Sequence, residues 1–165
     1  MKKLIVAILA AILLLNPIAY SKSNLSVTDE ALLHLNKPYR YAKAGPKFFD
    51  CSGLVYYCYK KVENIKLKRT AKEQGYDEEY EKITEIEKLI PGDAVYFNTN
   101  KSDNDKCDHA GIYLGNGKFI HSSSGKHKVI ISTLKEGYYN EVFSWGRRIK
   151  EDENYEYNDQ TWLTR

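Results

Sequence analysis

The chain has 165 residues, one domain's length, with 25 basic against 22 acidic side chains. The net charge of +3 falls to +1 if the first 21 residues, with Lys2 and Lys3, are removed. A near-neutral surface of interleaved lysines and acids excludes the electrostatic footprint of a nucleic-acid binder.

The opening stretch, MKKLIVAILAAILLLNPIAYS, sets two lysines before an uncharged apolar run from Leu4 to Leu15 and ends in small residues at Ala19 and Ser21. This is the pattern of a secretory signal peptide cut after Ser21, and the apolar run is too short for a comfortable membrane span. An uncleaved anchor is the competing reading. The sequence therefore predicts three parts: a signal peptide at 1–21, one compact exported domain at 22–150, and an acidic tail at 151–165 without chemistry.

Ser26 to Leu35 reads as a short helix, with Ser26 and Asp29 spaced as a capping box. Pro38 ends it, and PYRYAKAGPKFF continues as a loop. From Cys51 the apolar positions Leu54, Val55, Cys58 and Val62 recur at helical spacing behind Asp50, a natural N-cap. A further short helix is predicted over Thr70–Gln74, and GYDEEYEKITEIEKL is read as a charged surface helix or loop. After Pro91-Gly92 come DAVYFN, HAGIYLG, KFIHSS, KVIIST and SWGRRIK, five short β-rich runs parted by turn signals. Helices followed by a meander of strands predict an α+β fold, with N-terminal helices packed on a small antiparallel sheet.

Cys51 falls where free backbone N–H groups and the helix dipole favour a thiolate, although Asp50 opposes this. The same position leaves its own N–H available to an oxyanion. Cysteine is also a common core residue, and Cys58, two turns along, fits that role. Three cysteines in an exported chain allow at most one internal disulfide; a Cys58–Cys107 bridge would leave Cys51 as the thiol.

A cysteine nucleophile needs an oriented base. His34, near a helix end, reads as a surface cation, and His127 as a solvated turn residue. His109 and His121 flank the turn GNGK. A two-residue Asn116-Gly117 loop would send them to opposite faces, whereas a three-residue loop, Gly115 to Gly117, would set His121 opposite Gly111 and both histidines on one face. The three-residue hairpin is the prediction.

These stretches resemble the NlpC family of papain-like cell-wall cysteine peptidases over roughly Leu32–Arg148. PYRYAKAGPKFFDCSGLVYYCYKKV resembles its tyrosine loop and D-C-S-G helix, RTAKEQ its R-[ST]-x-x-x-Q segment, LIPGDAVYF its strand entry and HAGIYLGNGKFIHSS its polar strand pair. The resemblance implies Cys51 as nucleophile, His109 as general base and His121 as the residue that orients it. It implies Tyr39 as a lining and oxyanion-assisting residue, and a site-shaping part for Ser52, Arg69 and Gln74. The family's Gly-Gly reads Ala42-Lys43 here. The implied function is a secreted cysteine hydrolase of peptidoglycan stem peptides, with a γ-D-glutamyl–diamino acid bond as target and no cofactor. An amidase cutting muramic acid from L-alanine and a non-catalytic wall-binding protein are the alternatives. Cys51, Cys107, His109 and His121 are zinc-type ligands, but without a Cys-x-x-Cys pair no metal is predicted.

Overall fold

The structure is a computed structural model that describes residues 25–101 and 106–150. The predicted signal peptide and acidic tail lie outside the described residues.

Helix α1 (Val27–Leu32) opens with the predicted capping box: Ser26 Oγ accepts from the Asp29 N–H at 3.1 Å and the Asp29 carboxylate accepts from the Ser26 N–H at 3.1 Å. Helix α2 (Cys51–Val62) follows Asp50, whose side chain accepts from the Gly53 N–H at 2.6 Å. Its Leu54, Val55, Cys58 and Tyr59 are buried, as 3.6-residue spacing requires of a core-facing stripe. Helix α3 (Ala71–Gly75) carries a second capping box, Thr70 with Glu73.

The sheet contains β1 (Glu81–Ile83), β2 (Ala94–Phe97), β3 (His109–Gly115), β4 (Lys118–Ser123), β5 (Lys128–Thr133) and β6 (Phe143–Arg148), with the short helix α4 (Tyr138–Glu141) before the last strand. The strand order is β1-β6-β2-β3-β4-β5, every pair antiparallel. The α+β expectation holds, and β2 to β5 form the predicted meander. Two corrections follow from the edge beside β2. Strand β6 returns to pair with β2 instead of extending the meander, and the charged run read as a surface helix or loop contains β1, paired to β6 with Ile83 opposite Gly146. Ile83 is that strand's one buried side chain, too little alternation to see among lysines and glutamates.

The pleat gives the sheet two cores. Tyr96, Ala110, Ile112 and Ile120 face α2, while Val95, Phe97, Tyr113 and Phe119 form a second cluster with Leu134 and Val142. Arg147 and Trp145 both donate to the Gly75 carbonyl, at 2.9 and 2.7 Å, which ties α3 to β6.

The loop before α2 is folded against the helix entrance. The Arg40 N–H donates to the Phe49 carbonyl at 3.0 Å and the Asp50 N–H to the Lys43 carbonyl at 2.8 Å. Ala42 sits at φ 58°, in the left-handed region that a Cβ disfavours by roughly 1–2 kcal/mol. Glycine there relieves the clash but surrenders more chain entropy, so Ala42→Gly is expected to stabilise the fold by about 0.5–1 kcal/mol. Urea unfolding measures this, and a lower midpoint for the variant would refute the strain.

His34 is the remaining correction. It is buried, with 7% of its surface exposed, not a surface cation. Its Nε2 lies 2.9 Å from Glu30 Oε1, and its ring packs between Phe49 and Tyr57. Glu30, one turn earlier, also takes Lys61 at 2.9 Å, so the pair is held by the α1–α2 contact and not by solvent.

Candidate active site

Cys51 is the first residue of α2, half-buried in the lining of a cavity of about 370 Å³. Tyr39, Tyr41 and Ala42 from the preceding loop line one side, Arg69 and Lys72 another, and Cys107 and Asp108 the approach to β3. The first turn of α2 must be small. A Cβ on Gly53 would overlap the Lys43 carbonyl oxygen and stand 2.8 Å from Asp50 Oδ1.

Burial pushes the Cys51 thiol pKa up, and the adjacent Asp50 carboxylate adds to it. The N–H groups of Ser52, of Ala110 on β3 and of Cys51 itself act in the opposite direction. Asp50 is in turn held by Arg69, through Nη2 at 2.6 Å and Nη1 at 3.1 Å, in a two-point contact. Arg69 Nη1 also reaches Ser52 Oγ at 3.2 Å, and Gln74 Nε2 donates to the Ser52 carbonyl at 3.1 Å. Ser52 is thus buried with its hydroxyl turned to the Asp50–Arg69 pair, while its backbone is fixed by α3. Tyr39 lines the cavity close enough for the Cys51 and Asp50 charges, after burial, to raise its pKa.

The β3–β4 hairpin answers the question of the two histidines, neither of which is among the residues lining that cavity. Asn116 (φ 53°) and Gly117 (φ 70°) both take positive φ, as a two-residue loop of the primed type requires, and Gly115 pairs with Lys118. A bulge between Tyr113 and Gly115 then shifts the register, so Tyr113 faces Phe119 and Ile112 faces Ile120. The predicted three-residue loop is therefore replaced by a shorter loop and a bulge, which give the same register. His109 Nε2 lies 2.8 Å from His121 Nδ1, the rings at 89° to each other. Gly111 makes this possible, since a Cβ there would stand 2.8 Å from the Ile120 carbonyl oxygen and 3.2 Å from His121 Cβ.

Burial lowers the His109 pKa to about 4, against an opposing pull from Asp108, and lowers that of His121 to about 2 with His109 adding to the effect. Both rings are neutral at pH 7. Phe119 stacks on His121 at 4.8 Å between ring centres, and Tyr139 of α4 covers the pair. The structure brings the Cys51 thiol to the amide of Ala110, the residue after His109. Among the described residues, however, no hydrogen bond joins the thiol to the His109 ring.

Sequence reasoning missed Ser132, whose Oγ lies 3.0 Å from His121 Nε2. The alternation in KVIIST was visible, but not the register that pairs His121 with Ile130 and so makes Ser132 its diagonal neighbour. No disulfide joins any two of the three cysteines. Cys58 is in the core, and Cys107 is fully buried with its sulfur against Gly75. Among the described residues no group of three or more His, Cys, Asp or Glu side chains is placed to hold a metal ion, and no helix is long and apolar enough to cross a membrane.

The sequence profile of the NlpC/P60 family matches residues 36–148. The chain is 38% identical over 122 residues to Murein DD-endopeptidase MepH of Escherichia coli, covering 73% of this chain and 44% of that protein. It is 38% identical over 129 residues to Gamma-DL-glutamyl hydrolase of Bacillus subtilis, covering 77% and 30%. Among solved structures, NlpC1 from Trichomonas vaginalis superposes with a TM-score of 0.67 at 30% identity, over 79% of this chain and 45% of that one. The matches thus span less than half the length of each of these relatives. With most of its residues under the family profile, and the same α+β fold in the solved relative, the chain belongs to the NlpC/P60 family.

Proposed function

We propose that the chain is an exported cysteine hydrolase that cuts an amide bond in peptidoglycan stem peptides, with the γ-D-glutamyl–diamino acid bond as its target. In this reading residues 1–21 are a leader and 22–150 the enzyme domain. One observation carries the proposal: a half-buried thiol at a helix N-terminus contacts the amide next to His109 on β3, whose ring is hydrogen-bonded to that of His121 on β4.

Cys51 is the nucleophile and His109 the base. The Nε2 atom of His109 is engaged with His121, which leaves Nδ1 to receive the thiol proton as sulfur bonds to the carbonyl carbon. In the resting protein this transfer is uphill, because the thiol is a weakened acid and the ring a weakened base. It becomes favourable only as the C–S bond forms and substrate draws thiol and ring together, as catalytic contacts tighten in such complexes. The oxyanion is received by the Cys51 N–H, which has no acceptor within the helix, and by the Tyr39 hydroxyl. When the C–N bond breaks, His109 returns its proton to the departing amine, leaving a thioester. Water, giving a proton to His109, then adds to the thioester carbonyl. Collapse releases the new carboxylate and restores the thiol. Arg69 holds Asp50, and through it the helix entrance, in place.

The relatives' names divide between a DD-endopeptidase and a γ-DL-glutamyl hydrolase, so the masses of released fragments decide the bond. Digesting purified peptidoglycan with the chain under reducing conditions is expected to leave glycan-linked L-alanyl-D-glutamate and to free the amine of the diamino acid. Cross-linked dimers converted to monomers with stems otherwise intact would move the cut to the DD bond, and a freed L-alanine amine would mark an amidase. Absence of any released peptide would overturn the enzyme reading.

A further inference from the structure

We propose that Ser132 is a positioning residue of the catalytic pair, acting as the hydrogen-bond acceptor that holds His121 in the tautomer His109 needs. The inference rests on the catalytic reading of Cys51 and His109 and extends it one strand outward, to a residue that family resemblance did not single out.

Each ring nitrogen along this fixed chain of atoms either carries a proton or accepts one. To accept the thiol proton at Nδ1, neutral His109 must carry its own proton on Nε2. That N–H can only be donated to His121 Nδ1, 2.8 Å away, so His121 Nδ1 must be the bare nitrogen. His121 then carries its proton on Nε2, and the atom facing Nε2 is Ser132 Oγ at 3.0 Å. The opposite arrangement is self-consistent but idle: a proton on His121 Nδ1 is donated to His109 Nε2, and His109 then carries its proton on Nδ1 and cannot take the thiol's.

The surroundings leave Ser132 this task. His121 is completely buried, with Phe119 stacked on one side and Tyr139 set edge-on at 5.1 Å. Its cross-strand partner, Ile130, offers only backbone and hydrocarbon. Ser132 is half-buried near the sheet edge, so its hydroxyl hydrogen can turn to solvent while the oxygen accepts. The hydroxyl can also donate to a bare Nε2. What its oxygen prevents is a buried N–H without an acceptor, which costs more than an unpaired lone pair, so losing it shifts the tautomer balance about five- to ten-fold towards the idle form.

Kinetics on a soluble stem peptide and imidazole ¹⁵N NMR test this. Ser132→Ala is expected to lower kcat about five- to ten-fold with KM unchanged, and Ser132→Thr, which keeps the oxygen, to restore kcat to within about two-fold. The NMR of the unaltered chain should show His121 protonated at Nε2, and Ser132→Ala should show a mixture of tautomers. Protonation of His121 at Nδ1 in the unaltered chain would overturn the proposal whether or not the variant folds. So would an unchanged kcat in a folded Ser132→Ala. Cys51→Ala, run in parallel, separates the two readings: if it turns over the same peptide at the parent rate, the catalytic reading itself has failed.

Discussion

Of the three single cysteine replacements, Cys51→Ala alone is expected to abolish hydrolysis, by on the order of 10³-fold or more in kcat, while leaving stability within about 1 kcal/mol. Cys51 is only partly buried and lines the cavity, so less packing is lost with it than with a core sulfur. Cys58 and Cys107 are fully buried, one on the core stripe of α2 and the other against Gly75. Replacing either by alanine removes packed sulfur and is expected to cost about 1 kcal/mol of stability, with hydrolysis retained. Alkylation makes the same distinction without mutagenesis. The folded chain should take up one iodoacetamide adduct, at Cys51, and lose activity in step with it. Uptake should quicken at alkaline pH, because burial and Asp50 hold the thiol protonated. A Cys51→Ala chain that still releases peptide from the wall would remove Cys51 from the mechanism.

That contrast was half visible in the chain itself. Helical spacing separated Cys58, on the core stripe, from Cys51, directly behind its N-cap, because both signals are local. The two capping boxes and four of the six strands' places in the meander were equally readable for the same reason. What escaped was decided by distant partners. His34 lies at the end of a helix, where a solvated cation is ordinary, yet Glu30, Phe49 and Tyr57 enclose it. Strand β1 has a single buried side chain, and only β6, more than sixty residues away, makes it a strand. The hairpin is the most instructive case. Asn-Gly favours a two-residue loop and the chemistry needs both histidines on one face; a bulge reconciles them, and a bulge leaves no signature in residue type beyond the glycine at 115. Ser132 was hidden similarly, since its role depends on the β4–β5 register and not on any motif around it.

The largest effect of conditions is expected from pH. A free imidazole titrates near 6.5, and burial lowers His109 to about 4. The acid limb of kcat/KM, which reports the free enzyme, should therefore lie near 4, with activity sustained through pH 5–7 where an unperturbed histidine base would be failing. An acid limb near 6.5 would mean that His109 is solvated, or is not the base. Stability should follow the same groups. Both histidines have folded pKa values below their unfolded ones, so the unfolded chain binds more protons between those values. The contribution is fully present above about pH 6.5 and is lost as pH falls, towards 4 for His109 and lower still for His121. For His109 alone the loss is about 3 kcal/mol, and because the rings are hydrogen-bonded to each other the two losses do not add. Urea midpoints at pH 7 and pH 4.5 measure it against His109→Gln, whose amide carries no titrating group. The parent chain should lose more stability than the variant over that interval. Parallel slopes would show that the histidine pair is open to protons in the folded state, and the neutral resting pair on which the proton relay depends would have to be abandoned.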